Sequence, residues 1–307
     1  MTYPGTAVFF YNRPDKLRAL YAALASIKPP RLFLIADGPN PTSADDVRKC
    51  RECRDLAMHP SWPCQVFTLF RENHLGAKQS ISRGLLWVFS QTPEAIILED
   101  DCIPSADFFR FASELLHRYR AHDRIKLISG RRIDAPDNTE GGESYFLSAY
   151  TLTHGWATWS RAIEPVDWEM TRWPELRNTG WLENVLGNPK YVAYWTWIFD
   201  RMVNGMDTWD YALSFDMFLK NGLCIVPSVN LIENIGFDAS ATNTTTYQPG
   251  ISDRKIGVMR FPLIHPDHLT PDKAADDRLE WLIHSGYVFR QLQIARQRIH
   301  QRRHEKG

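Results

Sequence analysis

Over residues 1–130, short apolar runs alternate with amphipathic stretches long enough for helices, an order suited to a sheet with helical crossovers. Thr6–Tyr11 reads as a strand, and Arg13-Pro14-Asp15 opens a helix to about Ser26, with proline in the first turn, where its missing N–H costs nothing. Arg31–Ala36 is a second strand, stopped by Asp37-Gly38-Pro39, after which Thr42 or Ser43 caps a helix to about Ala57. Cys64–Phe70, Ala77–Phe89 and Ala95–Leu98 give a strand, a helix and a strand, the last running into Glu99-Asp100-Asp101. Ser105 caps a helix over Asp107–Tyr119, and Ile125–Ser129 is the next strand. The predicted class is α/β, a mostly parallel sheet flanked by helices.

Beyond about residue 140 the pattern changes. Eight of the eleven tryptophans fall between Trp156 and Trp209, Ile225–Val229 resembles another strand, and 238–253 is a polar stretch rich in Thr, Asn and Gly. From about Asp272 the chain reads as helical, and past Phe289 it turns basic, through Arg290, Arg296, Arg298, Arg302, Arg303 and Lys306. That tail allows two readings, a solvated terminal helix or a peripheral contact with acidic lipid head groups.

Composition narrows the function. Lys+Arg and Asp+Glu both number 36, so the chain lacks the basic footprint of a nucleic-acid binder. No apolar run approaches membrane-spanning length, and Ala7-Val8-Phe9-Phe10 follows the start so closely that it reads as a strand, not a leader. Five irregularly spaced cysteines suit a reducing compartment, so a cytoplasmic enzyme is expected, with the inner membrane as a possible docking surface for the tail.

The sharpest chemical feature is Ile96-Ile97-Leu98-Glu99-Asp100-Asp101. Three acids directly after an apolar strand lie where open α/β sheets bind ligands, and they repel one another unless a positive charge is near. A hard divalent cation bridging to a diphosphate resolves that repulsion; a solvated acidic turn is the plainer alternative. Asp37-Gly38 repeats the arrangement and could accept from a base or ribose, or form an ordinary turn. In Arg71-Glu72-Asn73-His74-Leu75-Gly76-Ala77-Lys78, the helix start with Lys78 and Arg71 could hold phosphate, while His74 alone would be structural. Asp210 beside Trp209 is either a desolvated general base or a helix cap. The tryptophans around His154-Gly155-Trp156 suit sugar stacking, though packing must account for most of them. Cys50-x2-Cys53 with His59 and Cys64 mimics a zinc set but shares a helical face with Val47 and Ala57, and His265-x2-His268 fits packing as well as metal.

The ordered set Tyr11-Asn12-Arg13-Pro14, Asp37-Gly38, Asn73-x2-Gly76, Leu98-Glu99-Asp100-Asp101-x2-Pro104 and Phe108-Phe109 resembles GT-A glycosyltransferases. More narrowly it is similar to bacterial family-2-type nucleotide-sugar transferases related to the N-acetylglucosaminyltransferase I group. The likeness continues through Gly155–Trp159, Trp209-Asp210, Asn221-Gly222-Leu223, Pro227–Leu231, Asn234–Phe237 and Phe261–Pro266, most of the chain. It implies one GT-A (Rossmann-like) domain over 1–270, with a nucleotide-binding half (1–130) and an acceptor half (131–270), and a C-terminal helical extension over 271–307. By the same resemblance, Asp37 contacts the nucleobase, Tyr11, Asn12 and Arg13 line the nucleotide pocket, and His74 and Lys78 lie beside it. Asp101 ligates Mn²⁺ or Mg²⁺, Asp100 faces the ribose, Glu99 faces the donor sugar, Gly155-Trp156 lies under donor sugar or acceptor, and Asp210 is the base. The implied partners are a nucleoside-diphosphate (UDP-type) sugar donor and a glycan or lipid-linked acceptor of bacterial surface glycan synthesis.

One departure stands out. Where the family pattern carries Thr-His-Thr, this chain has Thr242-Asn243-Thr244, an amide in place of an imidazole. A catalytically silent sugar-nucleotide or glycan binder is therefore the alternative. A sugar nucleotidyltransferase would need a Gly-rich phosphate loop after the first strand, which Tyr11–Pro14 does not provide.

Overall fold

The computed structural model describes residues 3–133, 142–236 and 254–284. Its centre is an eight-stranded sheet built from β1 (Gly5–Phe10), β2 (Arg31–Ala36), β3 (Gln65–Phe70), β4 (Glu94–Glu99), β6 (Ile125–Ser129), β7 (Tyr145–Ser148), β8 (Trp156–Trp159) and β9 (Leu223–Pro227). The strand order is β3-β2-β1-β4-β8-β6-β9-β7. β8 runs antiparallel to both β4 and β6, and β7 runs antiparallel to β9; the other neighbours are parallel. A two-stranded ladder pairs β5 (Cys102–Pro104) with β10 (Ile232–Asn234). The mostly parallel, helix-flanked α/β class read from the sequence is the class observed.

Successive strand residues enter opposite cores. Val8, Leu32, Leu34, Ile96 and Leu98 face one side with α1 (Pro14–Ile27) and α4 (Ala106–Arg118); Ala7, Phe33, Ile35 and Ile97 face the other with α3 (Ala77–Phe89). Both faces are covered, which is why these strands are near-continuously apolar. Phe108, Phe111 and Leu115 of α4 are fully buried, each contributing about 1.5–3 kcal/mol. Ser43 caps α2 (Ala44–Ala57) by accepting from Asp46 N, and Ser105 caps α4 by accepting from Phe108 N.

The short helix α5 (Ser160–Ile163) adds Ile163 to the core on the α3 side, while a third, aromatic core joins the short helices α6 (Trp173–Leu176) and α7 (Trp181–Leu186) to α8 (Pro189–Val203) and α9 (Asp210–Leu219), mainly through Trp173, Trp195, Phe199, Phe215 and Phe218. Packing therefore accounts for Trp156, Trp159, Trp173, Trp195 and Trp209, all buried. A helix over 273–284 closes the described chain, and 237–253 and the basic tail lie outside the described residues. Among the described residues no helix is long and apolar enough to cross a membrane.

Candidate active site

The chain runs β1, β2, β3 outward in one direction and returns to place β4 on the other side of β1. The crevice between the carboxyl ends of β1 and β4 is thus the switch point of the sheet, where open α/β folds bind ligands. Arg13 follows β1 and Glu99-Asp100-Asp101 ends β4, so both enter that crevice.

Arg13 holds the N-cap position of α1 without capping it, because a guanidinium has no acceptor to offer the free N–H groups, and Pro14 follows at the first helical position. Its guanidinium crosses to β4, where it pairs with Asp100 Oδ1, donates to Asp100 Oδ2 at 3.3 Å and reaches Asp101 Oδ2 at 3.0 Å. The positive charge that the acidic triplet requires is therefore supplied by the chain itself. Burial pushes the Asp100 carboxyl up to about 7, with Arg13 opposing. Burial, then Asp101 and Asp100, push Glu99 up to about 8, with Asp210 adding to the rise.

Asp101 is the outermost acid. Among the described residues its Oδ1 receives a 3.5 Å contact from Cys102 Sγ, and its main-chain oxygen accepts from Ile235 N at 2.9 Å. Gly236 packs so tightly on this carboxylate that an added Cβ would lie 2.2 Å from Oδ2. Among the described residues no three His, Cys, Asp or Glu side chains group so as to hold a metal ion. The donor set thus fits only a hard cation shared between Asp101 and ligand oxygens, as Mg²⁺ is commonly held. Thr242-Asn243-Thr244 lies outside the described residues.

Asp210 opens α9. Thr208 Oγ1 donates to its Oδ1 at 2.5 Å, and its own and the Tyr211 N–H groups point at the carboxylate. Burial raises its proton affinity and these hydrogen bonds only partly offset the rise. The residue is at once helix start and perturbed acid, as both readings of Trp209-Asp210 allow. Trp156 of β8 stacks on Trp209, with centroids 5.8 Å apart and planes 20° off parallel, setting the start of α9 against the sheet. Trp156 is only 1% exposed, so its indole is not open to a sugar, a correction to the expected stacking. The Gly155 carbonyl accepts from Gly130 N at 2.8 Å.

On the β2 side, Asp37 accepts from Gly38 N, Leu75 N and Gly76 N at 2.9–3.2 Å and lies 2.9 Å from His74 Nδ1. Its carboxylate thus folds the 74–76 turn. An added Cβ on Gly38 would strike the Asn73 backbone at 2.2–2.7 Å, so that turn needs glycine. Tyr11 stacks on His74 at 5.1 Å, and Asp46 anchors Tyr11 and Asn12 through 2.6 and 2.5 Å hydrogen bonds. Although burial favours protonating Asp46, those bonds and one from Asn40 N hold its carboxyl below the usual range.

The start of α3, expected to be open to phosphate, is filled. Asp207 accepts from Ala77 N and Lys78 N at 3.0 and 2.8 Å, and Lys78 Nζ pairs with Glu169 at 2.6 Å. The zinc-like set resolves as packing, since Cys50 and Cys53 are buried core residues and burial pushes both thiols up to about 12. His265 Nδ1 meets Tyr145 OH at 2.9 Å. An open hollow of about 290 Å³, lined by residues including Phe146, Pro266, Asp267 and His268, holds none of the site groups.

The structure thus brings together Arg13, Glu99, Asp100, Asp101 and Asp210, sets Tyr11, Asn12, Asp37 and His74 on the adjoining β1–β2 edge, and ties Lys78 to Glu169. Sequence reasoning missed Asp46 and Asp207. Asp46 was hidden in the first turn of α2, and Asp207 lies 130 residues from the helix it caps.

No protein-family model matches the chain, and no curated protein matches it. Among solved structures, similar ones include 4-diphosphocytidyl-2C-methyl-D-erythritol synthase from Anaerococcus prevotii, with 9% identity over 52% of this chain and 71% of that one, TM-score 0.32. Another is HddC from Yersinia pseudotuberculosis complexed with GMP-PN, with 12% identity over 53% and 80% of the two chains and the same TM-score, 0.32.

Proposed function

We propose that the chain is an inverting glycosyltransferase that uses a nucleoside-diphosphate sugar, most simply a UDP-sugar, and a hydroxyl acceptor of glycan or lipid-linked type. The observation that supports this reading is the placement of Glu99-Asp100-Asp101, paired with Arg13, in the β1–β4 switch crevice with Asp210 within electrostatic reach of Glu99. The edge formed by Tyr11, Asn12, Asp37 and His74 offers a stacking surface and acceptors suited to a nucleoside. Asp100 and Asp101 carry the ribose and diphosphate ends of the donor. Glu99, largely protonated at neutral pH, donates a hydrogen bond toward the sugar. Asp210, with raised proton affinity, takes the acceptor hydroxyl proton as that oxygen attacks the anomeric carbon. A Mn²⁺ or Mg²⁺ ion held by Asp101 and the diphosphate would neutralise charge on the leaving group.

The test joins binding to turnover. Asp210→Asn should lower transfer or donor hydrolysis by about 10²–10⁴-fold while the metal-dependent thermal shift given by the donor stays unchanged. A thermal-shift panel of UDP-, GDP-, dTDP- and CMP-sugars with and without Mn²⁺ names the donor class. Binding without turnover in the unaltered protein would support the silent-binder alternative, and no shift with any donor would sink the nucleotide-sugar reading.

A further inference from the structure

The two edges of the central sheet end differently. Along β7 the segment 264–272 forms a cover: Ser144 N donates to Ile264 O at 2.8 Å, Asp272 N donates to Leu147 O at 2.7 Å, and Leu147 forms an isolated bridge with Pro271. β3 is the other edge and pairs on one side alone, with β2; among the described residues no segment hydrogen-bonds its outer side. Gln65 N donates to Pro30 O at 2.9 Å and Arg71 N to Ala36 O at 3.0 Å, so the odd-numbered residues turn their N–H and C=O groups toward β2. Val66, Thr68 and Phe70 therefore turn theirs outward. The strand itself does nothing to blunt this edge. Gln65–Phe70 carries no charge and no proline, and its register against β2 runs from Gln65 to Phe70 without a bulge. β2 beside it is almost wholly buried, whereas Gln65, Phe67 and Thr68 are exposed, Phe67 by 37%. A bare backbone edge of this kind is a template for a further strand.

The side chains point to which strand that is. About Thr68 the strand is nearly symmetric in character, with Phe67 and Leu69 next to it, Val66 and Phe70 beyond them, and Gln65 and Arg71 outside. In an antiparallel ladder, outward-facing residues of one strand meet outward-facing residues of the other. A two-fold axis at Thr68 satisfies this with β3 itself as the partner strand. Thr68 then meets its own copy, Val66 meets the partner's Phe70, and Phe67 meets the partner's Leu69. Val66 and Phe70 pack on the α1 and α4 side of the sheet, while Leu69 and Phe67, stacked on Phe33 at 5.1 Å, pack on the α3 side. Each cross-strand pair thus extends an apolar face that is already present, and no like charges come opposite each other. An axis at Phe67 would instead set Leu69 against the partner's Gln65, and one at Leu69 would set Phe67 against the partner's Arg71.

We propose that the chain forms a two-fold dimer by antiparallel pairing of β3 with β3 of a second copy, with the axis at Thr68. The pairing is isologous and closes at two copies, because each copy uses its one bare edge and keeps its β7 edge covered by 264–272. The dimer is independent of the nucleotide-sugar reading, and its test needs no ligand.

The experiment is sedimentation velocity of the full chain over a dilution series, for the unaltered protein, Thr68→Lys, Thr68→Glu and an equimolar mixture of the two variants. The unaltered protein should show a reversible dimer. Each variant alone sets like charges opposite each other on the axis and should weaken the dimer about fivefold or more, while the mixture, with opposite charges there, should recover it. An unaltered protein that is monomeric throughout overturns the proposal, as does growth beyond the dimer. Dimers of unaltered strength in both variants mean that the copies meet elsewhere, and a mixture no tighter than its components removes the axis from Thr68; either result overturns it. Thr68 is exposed, so a charge there leaves the folded monomer intact, which melting curves check. Should either variant fail to fold, Thr68→Cys takes its place. Its two copies, about 5.5 Å apart at Cα, should form a disulfide between chains on oxidation, and none forming overturns the axis.

Discussion

Asp100 is 1% exposed and, among the described residues, draws its compensating charge from Arg13. Removing one member of a buried pair leaves the other uncompensated, at a cost of about 3–5 kcal/mol. The sign with pH follows from the Asp100 carboxyl, raised from its usual value to about 7: protonated, it needs no partner, so the stability it contributes is fully present at pH 4 and lost as pH rises through 7. Arg13→Gln raises that proton affinity further. Its melting temperature should therefore nearly match the unaltered protein at pH 4 and fall well below it at pH 8. An equal gap at both pH values would mean that Arg13 acts through packing. The acids themselves were legible at this scale, because an apolar run ending in Glu99-Asp100-Asp101 can point only to a strand end. Their counter-charge was not, since Arg13 and Asp100 are 87 positions apart and nothing local marks the pairing.

Elements are positioned here by side chains from distant helices and turns. Asp207 caps α3 in place of a local Ser or Thr, which explains why Gly76-Ala77-Lys78 resembles an open anion site in sequence yet is closed in the fold. Asp207→Ala should cost about 1 kcal/mol, as loss of an N-cap does, and urea denaturation would show it as a lower midpoint with an unchanged slope. An unchanged midpoint would mean that water replaces the carboxylate without loss. The helices α1, α2, α3 and α4 were read nearly to the residue, because caps and proline positions are local chemistry. β8 was not. Trp156-Ala157-Thr158-Trp159 is four residues long and buried on both faces, so it lacks the alternation that marks a half-exposed strand, and its aromatics suggested a ligand surface instead.

At the scale of the whole molecule, the helix over 273–284 joins the edge strand β7 to the aromatic core. Asp276 accepts from Ser148 Oγ at 2.5 Å and Ala149 N at 3.0 Å, while Glu280 accepts from Tyr150 OH, whose ring packs on Trp195 and Phe218. Burial raises the Asp276 carboxyl to about 6, with Asp272 and Asp277 adding to the rise, and burial raises Glu280 to about 8. Both groups are neutral in acid, so the stability they give is complete below about pH 4 and is lost as pH rises through 6 and then 8. Glu280→Gln keeps the acceptor and removes the titration. It should equal the unaltered protein at pH 4 and exceed it at pH 8 by at least about 1 kcal/mol, which chemical denaturation at the two pH values would show. The middle of the sheet carries a different consequence. β8 is made after both β4 and β6 yet lies between them. A ribosome that has just released residue 150 has therefore already released two largely apolar strands, each with an unpaired backbone edge whose common partner does not yet exist. A truncation at that point, although it contains nearly the whole β1–β4 crevice, should aggregate instead of binding nucleotide, and the pace of translation between residues 130 and 160 should govern how much of this protein a cell recovers.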